Sequence, residues 1–270
     1  MVEFDISQFA MTRKLLSMSG LLPYLKPSQR FTRVFIMSTT LIIACSIQVL
    51  NFLWTQLRIA TSVLHIAYLL TTITMSIIYH YILFNKKLIL RYLAQIVNDW
   101  NNIRQTKQFD VLLDYAFLYR KCVFIFIVSY NMYVSLMFLS SLNPLLLDLT
   151  VPLNESRQRI LIIPMNWYTG QERHFLKILI LELVISLILG LCVISGFSLY
   201  ILILQHICAM FHIIGCLLDN ILDAKEKKLK AIDNEVIYKR IIHVIKIHKR
   251  TIQSVSIIQH TSLDPSISSY

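Results

Sequence analysis

Side chains able to do chemistry are few in this sequence, and none falls into a catalytic pattern. Eight histidines are present, yet the nearest pairs, His206 with His212 and His243 with His248, are six and five residues apart. Two ligands on one helix face need a spacing of three or four, so no metal site is expected. No GxSxG elbow, phosphate-cradling GxxxxGK[ST], GxGxxG, HExxH or CxxC is present. Nucleophilic, nucleotide-binding and zinc chemistry therefore lack their usual carriers, and neither an enzyme nor a cofactor is expected. The five cysteines, Cys45, Cys122, Cys192, Cys208 and Cys216, all lie inside or at the ends of apolar runs, so no disulfide framework is expected.

Two features remain. The first is Glu182, the one carboxylate within a long apolar run. Ionisable groups in lipid are functional candidates by default, but Glu182 follows Lys177 by five residues, which suits a wet carboxylate at a membrane interface. The second is a concentration of aromatic and sulfur-bearing side chains: Tyr68, Tyr130, Met132, Tyr133, Met137, Phe138, Trp167 and Tyr168. Such a stripe serves helix packing or an interfacial belt, or else lines a mostly apolar pocket in which tyrosine hydroxyls orient a ligand. On the pocket alternative, Tyr68, Tyr133, Met137 and Phe138 are the candidate ligand-binding residues.

The elements that must carry these residues follow from composition. The 270 residues are 56% apolar and 15% charged, with a mean hydropathy of +0.61. Ordinary globular chains are about a quarter charged, so a water-soluble domain is excluded and lipid is the expected solvent. Between Arg33 and Arg58 lie 24 uncharged residues, between Arg58 and Lys86 another 27, and between Lys121 and Asp148 another 26. Each exceeds the roughly 20 residues a helix needs to cross a bilayer. A fourth run begins after Lys177 and stays uncharged over 36 residues from Leu183 to Leu218. As a helix it would be about 54 Å long against a hydrocarbon core of about 30 Å, so its second half must leave the membrane or bend, with the exit near Leu204 to His206. The expected fold is an all-α polytopic membrane protein with four transmembrane helices. Its segments would be a cytoplasmic amino-terminal stretch (1–33), a four-helix transmembrane region (34–206), a cytoplasmic helical region (207–259) and a divergent tail (260–270).

Lysine and arginine placement sets the expected orientation. Of the 26 basic residues, 21 fall in the amino-terminal stretch, the connection after the second span and the tail after the fourth. By the positive-inside rule both termini are cytoplasmic. The net charge of +11 then reflects attraction to an anionic inner leaflet, and nucleic acid needs no place as a partner. The sequon Asn154-Glu155-Ser156 falls in a loop that this count places outside, making Asn154 a candidate glycosylation site. Ile89, Leu93, Ile96, Val97, Trp100 and Ile103 recur at helical steps, with Arg91, Gln95, Asp99 and Asn102 between them. An amphipathic helix should therefore join spans two and three. After the basic turn Lys225, Lys227, Lys228 and Lys230, a second stripe of Ile237, Ile241, Val244, Ile245, Ile252 and Val255 predicts another helix, either packed on the protein or lying on the leaflet. Asp264-Pro265 should end it.

Four short segments, taken in order, resemble insect odorant receptors. His206-Ile207-Cys208-Ala209-Met210-Phe211-His212-Ile213-Ile214-Gly215 is similar to the cytoplasmic signature of that family. Trp167-Tyr168-Thr169-Gly170-Gln171-Glu172-Arg173-His174-Phe175 resembles the stretch leading into the family's fourth helix, particularly in ants, bees and wasps. Leu15-Leu16-Ser17-Met18-Ser19-Gly20-Leu21-Leu22-Pro23-Tyr24 and the pair Asp99-Trp100 are similar too, so the resemblance runs from about Met11 to Gln259. It implies a subunit of an odorant-gated cation channel in the plasma membrane of sensory neurons. In that family seven helices span the membrane, a volatile odorant binds in the outer half among helices two, three, four and six, and the subunit forms a tetramer with a shared odorant co-receptor. This sequence departs from the pattern in having four spans, while the family's pore is lined by the seventh. An incomplete seven-helix receptor, non-conducting by itself, is therefore expected, and Ile247 to Ile252 resembles the run-up to a fifth span, whereas His260 to Tyr270 matches nothing in the family. The related gustatory receptors share fold and topology and form one alternative; a complete four-helix accessory membrane protein forms another. A G-protein-coupled receptor would need its amino terminus outside, against the basic-residue count.

Overall fold

The computed structural model describes residues 7–54, 59–151, 157, 159, 161–163, 171–226 and 234–263. These are helical almost throughout: α1 (Ala10–Met18), α2 (Pro27–Trp54), α3 (Ile59–Phe84), α4 (Lys86–Ile103), α5 (Phe109–Thr150), α6 (Gln171–Glu226) and α7 (Asn234–Leu263), with a short 3-10 turn at Ser7–Phe9. Among the described residues there is no strand. Four helices are long and apolar enough to cross a membrane, within Pro27–Leu53, His65–Phe84, Phe109–Thr150 and Arg173–Ile221. Arg58, Asn154, Trp167, Tyr168, Lys227, Lys228, Lys230, Asp264 and Pro265 lie outside the described residues.

The 56 residues of α6 correspond to about 84 Å of helix and the 42 of α5 to about 63 Å, so each outruns a hydrocarbon core of about 30 Å. Within α6 only His174 leaves helical dihedral angles. The helix therefore keeps helical dihedral angles through Leu204 and His206. Pro144 is accommodated inside α5 near its end. Two compact units form, each discontinuous in sequence: Thr12–Phe84 with Val123–Ser198, and Met1–Met11 with Asn85–Cys122 and Leu199–Tyr270.

In the first of these units the turn after α1 is tied down by polar contacts. Gly20 has φ +76°, which only glycine adopts without strain, and a side chain there would meet Val34 at 3.0 Å. The Arg33 guanidinium donates to the Ser17 carbonyl at 2.5 Å and to its hydroxyl at 2.9 Å, satisfying acceptors at the carboxyl end of α1. The Tyr79 hydroxyl donates to the Ser19 carbonyl at 2.9 Å, and the Ser195 hydroxyl reaches the Leu15 carbonyl at 3.1 Å. Together they join α1 to α2, α3 and α6.

The second unit is built on α4, the start of α5, the end of α6, and α7. The expected amphipathic helix is α4, and Ile89, Leu93, Ile96, Val97 and Trp100 are buried. Phe9 completes this core edge-on to Trp100 at 5.2 Å and to Tyr119 at 5.6 Å, an arrangement favoured by the aromatic quadrupole. The sequence places Asp99 among the polar positions of α4, yet it is 1% exposed. Its carboxylate pairs with His206 Nε2 of α6 at 3.1 Å and with the Arg250 guanidinium of α7. The apolar stripe of α7 is buried over only part of its width. Val244 packs with Ile214 and Ile221, supported by Ile237 and Ile247, while Ile241, Ile245 and Ile252 remain exposed. The packed face runs through Ile237, Val244, Ile247 and Thr251, one step around the helix from the face that the apolar residues alone mark out.

Candidate ligand-binding cavity

Within the unit of Thr12–Phe84 and Val123–Ser198 lies a cavity of about 370 Å³. Helical periodicity explains how four elements reach it. Tyr68, Thr72 and Met75 share one face of α3; Tyr130, Tyr133, Val134 and Met137 share one face of α5; Ser186, Leu189 and Val193 share one face of α6. Gln48 of α2, Thr71, Phe126, Ile162 and Ile163 complete the lining. None of these residues carries a formal charge, so the chamber is apolar with isolated hydroxyl and amide groups, the usual makeup of a small-molecule site.

Hydrogen bonding fixes where those groups sit. Gln48 Nε2 donates to the Thr72 hydroxyl at 3.0 Å, and that hydroxyl donates to the Tyr68 carbonyl at 2.9 Å. The Tyr130 hydroxyl donates to the Ser186 carbonyl at 2.8 Å. Tyr130 can lie across α6 because residue 190 is glycine: a Cβ there would stand 2.1 Å from the Tyr130 ring. Phe126 stacks on Phe197 with ring centroids 4.1 Å apart.

Three of the four candidate ligand-binding residues, Tyr68, Tyr133 and Met137, line this cavity together, beside Tyr130 of the same stripe. Tyr133 does so while 51% exposed. Phe138 does not line it; one helical step away, it packs with Leu142 against the cluster of Leu161, Ile162, Ile163, Phe175 and Leu179. Met132, from the same stripe, is exposed. Asn154 stands outside the described residues. Glu182 corrects the expectation of a wet interfacial group: it is 1% exposed, and its Oε2 accepts the backbone N–H of Ile162 at 3.0 Å and of Ile163 at 3.4 Å.

Four of the lining residues that the aromatic stripe did not reveal are polar: Gln48, Thr71, Thr72 and Ser186. Gln48, Thr72 and Ser186 each interrupt an apolar run, and a polar group at membrane depth is a signal in itself. Ile162 and Ile163 carried no such signal, because the short apolar run between Arg159 and Pro164 reads only as part of a loop.

Neither a protein-family model nor a curated protein matches this sequence. Solved structures match its fold. The insect olfactory receptor OR5 from Machilis hrabei in complex with eugenol aligns with a TM-score of 0.62 at 14% identity, over 93% of this chain and 63% of that one. A second structure of the same receptor aligns with a TM-score of 0.59 at 15% identity, over 93% and 64%. The chain thus has the fold of an insect olfactory receptor and spans just under two thirds of the length of that receptor.

Proposed function

We propose that this chain is the odorant-binding part of an odorant-gated cation channel subunit in the plasma membrane of sensory neurons. The observation that carries the proposal is the uncharged 370 Å³ cavity set among α2, α3, α5 and α6 of an olfactory-receptor fold. At packing densities between those of a liquid and a crystal, it would hold a neutral molecule of roughly ten to fifteen non-hydrogen atoms. Tyr68, Tyr133 and Met137 are proposed to contact the odorant, and Phe138 to support the wall behind them. The lining offers no cation to a carboxylate and no anion to an amine, so neutral volatiles are the favoured class.

The amino terminus is proposed to be cytoplasmic, in line with the 21 of 26 basic residues that would then face inward; Asn154 would face outward and accept a glycan. Conduction is proposed for an assembly with an odorant co-receptor subunit and surrounding lipid. The chain alone should conduct no ions: among the described residues of its spans, the carboxylate available within the apolar runs is Glu182, which is already bound to backbone N–H groups. The test is direct binding of neutral odorants to the chain in lipid nanodiscs. Tyr68→Ala, Tyr133→Ala and Met137→Ala should each weaken binding by about 10- to 100-fold, the contact energy of a truncated large side chain. Unchanged odorant preference in all three, with normal membrane insertion, would leave these residues as packing only.

A further inference from the structure

Glu182 is the point at which α6 grips the segment that closes one side of the cavity. Phe175, Leu179 and Glu182 follow one another at helical steps of four and three, and so present a single face of α6. Leu161, Ile162 and Ile163 lie against it: they form one buried cluster with Phe175 and Leu179. The Arg159 guanidinium lies 5.5 Å over the Phe175 ring. The stretch from Leu161 to Ile163 is not helical, so its N–H groups have no ladder to join, and burial denies them water. The Glu182 carboxylate supplies the acceptor for two of them, while both isoleucine side chains line the cavity.

We propose that Glu182 is the positioning residue that latches this wall. Its bonds to Ile162 and Ile163 hold two isoleucines against the ligand space, and release of those bonds is the step by which a ligand comes and goes. The inference rests on the cavity being the ligand site, but the latch itself can be read without any ligand. A carboxylate is suited to the task because its hydrogen bonds are charge-assisted and about twice as strong as those of a neutral acceptor. It can also take both N–H groups on one oxygen, which a helix side chain at this position could not do through packing alone.

The experiment uses the full chain in phospholipid nanodiscs as wild type, Glu182→Gln and Glu182→Leu. Hydrogen exchange of the peptide covering Leu161 to Ile163 is followed without ligand, and dissociation of radiolabelled eugenol is followed as the probe. Glutamine keeps an acceptor but loses the charge, so exchange should quicken by about three- to tenfold; leucine removes the acceptor, so it should quicken by about thirtyfold or more. The eugenol off-rate should rise in the same order. The dissociation constant should change less than the off-rate, because a loosened wall also speeds association. Should Glu182→Leu fail to insert, Glu182→Gln decides alone, since it preserves size and shape. Unchanged exchange at Ile162 and Ile163 in the inserted variants overturns the latch. Faster exchange with an unmoved eugenol off-rate overturns its role in ligand passage. Failure of the wild type to bind eugenol or any other neutral odorant of this size would count against the cavity as the ligand site and against ligand passage, while the exchange data would still decide whether Glu182 holds the segment.

Discussion

Removing the Asp99 carboxylate should loosen α7. The magnitude follows from how its two partners differ. His206 is buried, and its Nε2 contacts Asp99 Oδ2 at 3.1 Å, while its Nδ1 has no hydrogen-bond partner among the described residues. Asp99→Ala leaves both ring nitrogens without one, which costs about 1 to 3 kcal/mol for a buried polar group. The Arg250 side chain is 40% exposed, so water and salt screen it, and its share is held to about 1 kcal/mol or less. The sum is about 1 to 4 kcal/mol, equivalent to hydrogen exchange about 5- to 700-fold faster wherever Asp99 limits opening. Asp99→Asn keeps an acceptor for one partner and should cost about half as much. The assay is site-resolved exchange in nanodiscs over Ile247 to Gln253 of α7 and over α4, with the exposed Asp114→Asn as a control expected to stay within about 0.5 kcal/mol. A double-mutant cycle of Asp99→Asn with Arg250→Gln should show a coupling of about 0.5 to 1 kcal/mol that shrinks at high salt. If Asp99→Ala exchanges like Asp114→Asn, or if α4 loosens while α7 stays as protected as in the wild type, then Val244 and its neighbours hold α7 and the ion pair does not.

Three further outcomes are expected. Gly190→Ala should destabilise by about 1 to 3 kcal/mol and alter odorant preference, because its Cβ would stand 2.1 Å from the Tyr130 ring; thermal melts and binding should both recover when Tyr130→Ala is added, and an undisturbed single variant would disprove the close approach. Thr72→Val should cost more stability than Gln48→Leu, since the first strands the buried Gln48 amide, at about 1 to 3 kcal/mol, whereas the second leaves the Thr72 hydroxyl donating to the Tyr68 carbonyl; equal melting temperatures would remove the asymmetry. In microsomes, tags at both ends should be open to protease outside the vesicle and Asn154→Gln should abolish a glycan-dependent shift in mobility; protection of either tag reverses the proposed orientation.

The parts of this architecture that a reader of the sequence can see are those enforced by solvent, and the parts that stay hidden are those enforced by a distant partner. Lipid demands apolar side chains over the length of a span, so α2, α3, α5 and α6 stand out as charge-free runs whatever they pack against. Half-buried α4 likewise shows its face through Leu93, Ile96 and Trp100, because water and core sort its residues by period. Asp99 breaks that sorting. An acid on a soluble helix ordinarily marks the wet side, and what reverses the inference here is Arg250, 151 residues away, together with His206 from a third helix. Glu182 misleads in the same manner, since its closeness to Lys177 suggests water while the acceptor role is set by N–H groups nineteen and twenty residues upstream. The exposed half of the α7 stripe has the same origin: apolar periodicity names a face but not which of two adjoining faces finds Ile214 and Ile221. The cavity sits between these cases. Tyr68, Tyr133 and Met137 were legible as a cluster because two helical faces, one of α3 and one of α5, carry the same aromatic and sulfur chemistry. Ile162 and Ile163 were not, because each becomes a wall residue only through a contact made elsewhere, with Glu182. A polar group inside an apolar run is thus better read as half of a pair than as a surface position, and the productive question is which backbone or side chain supplies the other half.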